Sequence, residues 1–393
     1  MQTASTFNLH RPSKYRQIEP SEPLWVIGDY GNKDAKAMIH GRFGEEIWFP
    51  NYIAYLDEDE YRAQQLAHRN APAQYEKSAV FRTSEGGVIV GELAQEMASG
   101  IQKKGAYKYG QYIRDIFTAA MLHLYPQGHR KINLVVTHPV RLPPREIEEL
   151  KNSFVGEIVI ETVDGREVHY LVRNVLMIEE PKAAFQTYAL NVNGTSHQRR
   201  SFKLEPGTRF AICDVGGYLS ALALGQVNSN LEIEISATNM RPIDYGIHHV
   251  IESFTLSARN TIDKLSKVSV LPLDRVTMAL KTDTYRIGRK EEYNVQKIVE
   301  NAFAPLMGAF LDTYEQAPFL NGVGLDGVIL TAGGNALAQE YLTANLFGDD
   351  FAVPAEDDVE VMRYCAIRGA SKGLIPFLAQ LDYQKAMRRA TNT

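Results

Sequence analysis

Two short stretches of this sequence carry residue types that do chemistry together. "WVIGDYGNKDAKAMI", residues 25–39, is an apolar run that breaks at Asp29 and Gly31, turns, and resumes at Ala35 with Lys36 on the way out. "FAICDVGG", residues 210–217, repeats the device: an apolar strand delivers Asp214 and then Gly216 and Gly217. Glycine lets a ligand approach the backbone, and consecutive turn amides form a concave nest for anionic oxygens. An aspartate beside a phosphate repels it unless a divalent cation stands between. Magnesium suits that position, because it keeps several waters and takes few carboxylates together with substrate phosphates. Lys36 on the returning strand then neutralises phosphate charge. Either turn alone is an ordinary β-turn; the two together, with the glycine pair Gly333-Gly334 further on, point to a metal-chelated polyphosphate held between two similar half-units.

The elements that must position these residues alternate between strands and helices. Residues 24–29 and 35–40 form a strand pair by pattern. Ile113, Ile116, Phe117, Ala120, Met121 and Leu124 fall on one helical face. "INLVVTHPV" is a buried strand, Pro143-Pro144 open an acidic helix, and Asp164-Gly165 predicts a two-residue hairpin turn. "EEPKAAFQTYAL" predicts a helix beginning just after Pro181. In the second half come the strand "LEIEIS", a long helix near 294–316, the strand "GVILT" and a helix at "ALAQEYL". The terminal "VEVMRYCAIRGASKGLIPFLAQL" predicts helix interrupted near Gly369.

Composition narrows the class. The 393 residues, 45% hydrophobic and 23% charged, suit two or three globular units rather than a disordered chain. A net charge of -5 leaves no electrostatic footprint for direct nucleic-acid binding. The two cysteines, Cys213 and Cys365, lie among apolar neighbours and are expected to be reduced, which fits a cytoplasmic setting. No run reaches the ~18 apolar residues of a membrane span. Residues 1–23 lack an apolar signal core and are expected to be a flexible lead-in.

Several local patterns are set aside. "GVGLDG" at 322–327 matches a dinucleotide-binding glycine pattern but precedes a strand, where that motif must follow one and open a helix. Asp244, His248 and His249 resemble metal ligands but fit a connecting segment better. "DEDE" at 57–60 is a solvated helix face, and Tyr107, Tyr109 and Tyr112 are half-buried packing.

In order along the chain, the motifs resemble those of the actin and heat-shock-chaperone ATPase superfamily, and most of all the bacterial and archaeal ParM-type actin-like proteins. "DYGNKDAK" resembles the first phosphate loop, "CDVGGYLS" the second, "EEPKAAFQTYAL" the connecting helix and "LTAGGNA" the adenosine turn; "VGELA" at 90–94 and "AIRGASKG" at 366–373 are similar to ParM-like segments. The resemblance spans roughly residues 24 to 375. It implies an α/β fold of two ribonuclease-H-like halves around a nucleotide cleft: 24–190, with an outer subdomain about 40–100, and 191–393, with an outer subdomain about 245–300 and C-terminal helices about 360–390 packed back on the first half. It implies ATP and Mg2+, with Asp29 and Asp214 holding the metal through its waters. Gly31, Asn32, Lys33, Lys36, Gly216, Gly217 and Tyr218 would line the phosphates, and Gly333, Gly334, Asn335 and Lys290 the adenosine. Glu180, with Glu179 as the one-residue alternative, would polarise the attacking water.

The implied activity is ATP hydrolysis coupled to self-association into filaments that segregate a plasmid or other cargo, reaching DNA through an adaptor protein. This chain departs from the pattern at Tyr218 and Leu219, where ParM-like proteins offer threonines, and at Lys33, an added charge. Those departures keep open a non-hydrolysing nucleotide-dependent scaffold, beside a monomeric sugar- or acetate-type kinase of the same superfamily.

Overall fold

The computed structural model describes residues 22–103, 109–139, 142–190, 193, 205–230, 233–268, 270–288, 291–315, 324–342, 352–353 and 363–391. The expected lead-in therefore lies almost wholly outside the described residues, as do Tyr107 and Lys290.

The first half of the chain runs β1 (Leu24–Tyr30), β2 (Asp34–Ile39), β3 (Ile47–Pro50), β4 (Ile53–Leu56), α1 (Glu58–Asn70), β5 (Ser78–Thr83), β6 (Gly86–Gly91), α2 (Glu92–Glu96), α3 (Gln111–Leu124), β7 (Arg130–His138), α4 (Pro144–Phe154), β8 (Gly156–Thr162), β9 (Glu167–Glu179) and α5 (Glu180–Ala189). The second runs β10 (Arg209–Val215), β11 (Ser220–Val227), β12 (Ile233–Ile243), α6 (Ile247–Thr261), α7 (Leu273–Thr282), β13 (Thr284–Ile287), β14 (Glu291–Asn294), α8 (Gln296–Glu315), β15 (Gly327–Thr331), α9 (Asn335–Leu342), β16 (Ala352–Val353) and a C-terminal helix (Cys365–Thr391).

The sheets repeat one plan. A nine-stranded sheet begins β3-β2-β1-β7-β9, and a five-stranded sheet is ordered β12-β11-β10-β15-β16. In both, three antiparallel strands are followed by two that run parallel to the first strand of the half. The likeness between "WVIGDYG" and "FAICDVGG" is thus a likeness of topology: each is the third strand of the five-strand order that the two sheets share. The first sheet continues through β8, β5, β6 and β4, an antiparallel extension.

Alternation along the strands sorts residues to two faces. On the first sheet, Val26, Tyr30, Ala35, Ala37 and Val136 face a core with α3 and α4, while Ile27, Met38 and Val135 face α5 and the C-terminal helix. On the second, Cys213, Val215 and Leu222 face α6 to α9, while Phe210, Ile212 and Ala223 face α5 and Cys365. One helix, α5, presents Ala183 to the first sheet and Ala184, Phe185 and Tyr188 to the second. The pair formed by α5 and the C-terminal helix therefore lies between the inner faces of the two sheets.

Three sequence expectations need correction. The C-terminal helix runs unbroken through Gly369, because a side chain there would overlap the Ala183 carbonyl oxygen; this glycine permits a close helix crossing instead of a break. The β8–β9 hairpin has a three-residue loop, Val163 to Gly165, with Gly165 left-handed at φ 82°. Helix α5 starts at Glu180, with Pro181 in its first turn, where the missing amide hydrogen costs nothing. "DEDE" is exposed throughout, as expected of a solvated helix face, with Asp57 as the N-cap of α1: its carboxylate accepts from the Glu60 amide at 2.8 Å, and Glu60 accepts in return from the Asp57 amide at 2.9 Å.

Candidate functional site

Both aspartates stand near the carboxyl ends of equivalent strands, β1 and β10, where open α/β sheets bind ligands. Asp29 follows Ile27 on the inner face of the first sheet and Asp214 follows Ile212 on the inner face of the second, so both point toward the space between the sheets. Lys36 lies opposite Asp29 in the β1–β2 register, and its Nζ donates to Asp29 Oδ2 at 2.9 Å. Burial lowers the pKa of this ammonium, but Asp29, then Asp34 and Asp214, outweigh it, and the group is held charged above its usual range. Burial pushes the Asp214 carboxyl up to about 7; Lys36 opposes this and the Asp29 charge reinforces it. One ammonium thus serves two carboxylates on different sheets. That donor set fits a divalent cation, whose second charge would favour the ionised form of Asp214.

The turns themselves meet. Lys33 lies across from Gly217: a Cβ on that glycine would be 2.9 Å from Lys33 Cδ, so the lysine stem rests on the second turn. Asn51, fully buried, holds the first turn from behind. Its Nδ2 donates to the Gly31 carbonyl at 2.6 Å, its amide donates to the Lys33 carbonyl at 2.8 Å, and Tyr112 donates to both of its oxygens at 3.1 Å. The second turn is closed by Gly216 N–H to Leu219 O at 3.0 Å and is braced by α6, whose Ile247 and His248 amides donate to the Gly216 and Gly217 carbonyls. Gly246 must lack a side chain, since a Cβ would lie 2.7 Å from the Gly217 oxygen.

Tyr218 turns its ring onto His248 at 4.7 Å, leaving its main chain as the part it offers to the cleft. His248 pairs with Glu252 at 3.1 Å, and among the described residues no three His, Cys, Asp or Glu side chains form a metal-binding group.

The glycine pair reaches the same place. β15 runs parallel to β10 with Thr331 beside Asp214, and the Gly334 amide donates to Val215 O at 2.9 Å. Arg363 stacks its guanidinium 4.3 Å from the Trp48 ring of β3, and its Nε would lie 3.9 Å from a Cβ on Gly333. Asn335 begins α9. Glu180 is the first residue of α5 and directly follows the end of β9, where Glu179 aligns with His138 of β7 and pairs with Lys182 at 2.7 Å. Asp29, Lys36, Asp214, both turns and the Gly333-Gly334 turn therefore form one constellation, with Glu180 at the neighbouring strand end. The structure adds two residues that pattern reading misses: Asn51, and His138 at the carboxyl end of β7. Only the break of an apolar run, "WFPNYIAYL", hints at the first.

No family model and no curated protein matches the sequence. Solved structures do match in fold. Ta0583, an archaeal actin homolog, superposes with a TM-score of 0.68 over 90% of this chain and 99% of its own, at 16% identity. The chain has the actin-like fold. A 15-stranded ParM filament from Clostridium botulinum gives a TM-score of 0.65 at 14% identity, over 89% of this chain and 99% of that one. ParM from Bacillus thuringiensis with ATP gives 0.58 at 16% identity, over 92% and 100%; Ta0583 is also known in complex with ADP. Within the actin-like fold, the paired strand-end aspartates here flank the cleft between the two repeated sheets.

Proposed function

We propose that this chain is a ParM-type actin-like ATPase, which binds Mg-ATP between its halves, residues 24–190 and 191–393, and assembles into filaments in the cytoplasm. The observation that carries the proposal is the equivalence of Asp29 and Asp214: two like strand ends, on facing sheets, sharing the charge of Lys36. The ADP and ATP complexes among proteins of like fold support a nucleotide in this cleft, and the ParM filament supports self-association. Segregation of a plasmid or other cargo, through a DNA-binding adaptor, is the role that goes with this reading.

The residues divide the work. Main-chain amides at Gly31, Asn32 and Lys33, and at Gly217 and Tyr218, cradle phosphate oxygens, while Gly216, whose amide closes the second turn on Leu219, lets the phosphates approach its backbone. Lys36 exchanges part of its bond to Asp29 for a phosphate contact, and Lys33 adds charge where the two turns touch. Asp29 and Asp214 would hold the cation. Bound magnesium supplies charge neutralisation on the phosphates. Gly333, Gly334, Asn335 and Lys290 flank the nucleoside. Glu180, or Glu179 beside it, orients and polarises the attacking water; phosphoryl transfer asks chiefly for such positioning.

Glu180→Ala tests the division. ATP affinity, by calorimetry, is expected to stay within about threefold of wild type, while turnover falls by about 100-fold or more. Loss of both together contradicts the assigned role. Wild-type protein that binds ATP without turnover supports the scaffold reading, for which the absent threonines of the second turn speak.

A further inference from the structure

Two side-chain hydroxyls near the phosphate turns are buried without a partner among the described residues: Thr137 Oγ1, at the end of β7, and Ser220 Oγ, at the start of β11. A buried hydroxyl without a partner is unfavourable and calls for an explanation. Face and register separate the two. Ser220 shares its face with Leu222 and Leu224, on the α6–α9 side of the second sheet, away from Asp214. Thr137 shares its face with Val135, on the inner side of the first sheet, as Asp29 does with Ile27.

Register brings Thr137 to the centre of the site. β1 and β7 are parallel, with Gly28 paired to Val136, so the next residues along are Asp29 and Thr137. On its other side β7 pairs with β9, placing Thr137 against Ile178, two residues before Glu180. Thr137 therefore stands on the middle strand, between the strand that carries the metal-facing aspartate and the strand that leads to the water-orienting glutamate.

We infer that Thr137 is a positioning residue of the nucleotide site, its hydroxyl hydrogen-bonding an ordered water that lies between Asp29 and the phosphates. The inference rests on the function proposed above and adds a third strand end to it. The hydroxyl acts through water, and its contribution depends on magnesium because the water it holds belongs to the cation's surroundings.

The test compares Thr137→Val, which keeps shape and removes the hydroxyl, with Thr137→Ser, which keeps the hydroxyl. Two quantities are measured: nucleotide-free melting temperature, and ATP affinity with magnesium and with EDTA. Thr137→Val is expected to melt about 2 °C higher than wild type, having lost a partnerless polar group. It is expected to bind ATP about tenfold more weakly with magnesium, and equally in EDTA. Thr137→Ser keeps wild-type affinity. Equal magnesium-dependent affinity in wild type and Thr137→Val overturns the inference, and so does a lowered melting temperature with affinity intact, which marks a hydroxyl bonded within the fold. Wild-type protein that binds no nucleotide refutes the proposed function itself, and this inference with it, before any variant is compared.

Discussion

At the residue scale, the site depends on where single polar groups are buried. Asp29, Lys36 and Asp214 are legible in the sequence because each sits where an apolar run breaks, and an Asp-x-Gly break advertises a strand end. Asn51 and Thr137 are not legible in that way. Each is one polar residue in an apolar run, and what it touches depends on pairing with chain 20 or more residues away. Asp115 is a third such case. On α3 it is 1% exposed, accepts from Gln111 at 2.6 Å and from Tyr55 at 3.4 Å, and burial pushes its carboxyl up to about 7. An unfolded aspartate ionises near ~4, so between about pH 4 and pH 7 the unfolded chain gives up a proton that the folded chain keeps. Folding stability from this group therefore falls as pH rises across that window, then levels off. Asp115→Asn is expected to flatten the slope and to stabilise the protein by about 1–3 kcal/mol at pH 8, with little change at pH 4. Urea melts at the two pH values check it; an equal loss at both would show that the carboxylate is needed as a charge.

At the element scale, strands and most helices follow from hydrophobic period, but glycine carries two meanings that period cannot separate. In the C-terminal helix Gly369 reads as a helix breaker, yet it marks the point where that helix crosses α5 too closely for a side chain. Gly308 in α8 has open space where a Cβ would go. The two positions predict opposite results. Gly369→Ala is expected to cost about 3 kcal/mol by forcing the central helices apart. Gly308→Ala is expected to gain about 0.5–1 kcal/mol through helix propensity. Thermal melts of the two variants decide it, and a neutral Gly369→Ala would mean the crossing yields easily. The same ambiguity affects turns: Asp164-Gly165 announces a hairpin, but its three-residue loop is set by how β8 and β9 align.

At the scale of the whole molecule, the sequence shows the repeat as two short echoes, whereas the structure extends it to the order and direction of five strands in each half. The packing of α5 and the C-terminal helix between the inner faces is long-range and leaves no spacing rule behind. The contact of Lys33 with Gly217 is of the same kind: two turns far apart in the chain meet because each follows the equivalent strand of its half, β1 or β10. On the proposed function, a nucleotide bound between those turns would touch both halves at once and so would favour whichever arrangement brings them together. If subunits associate better in that arrangement, binding drives assembly by shifting populations. The most direct test is light scattering of the purified protein across concentrations as Mg-ATP is added. The account predicts a rise above a critical concentration that EDTA abolishes. A flat trace at every concentration, with ATP binding verified in the same sample, would contradict it.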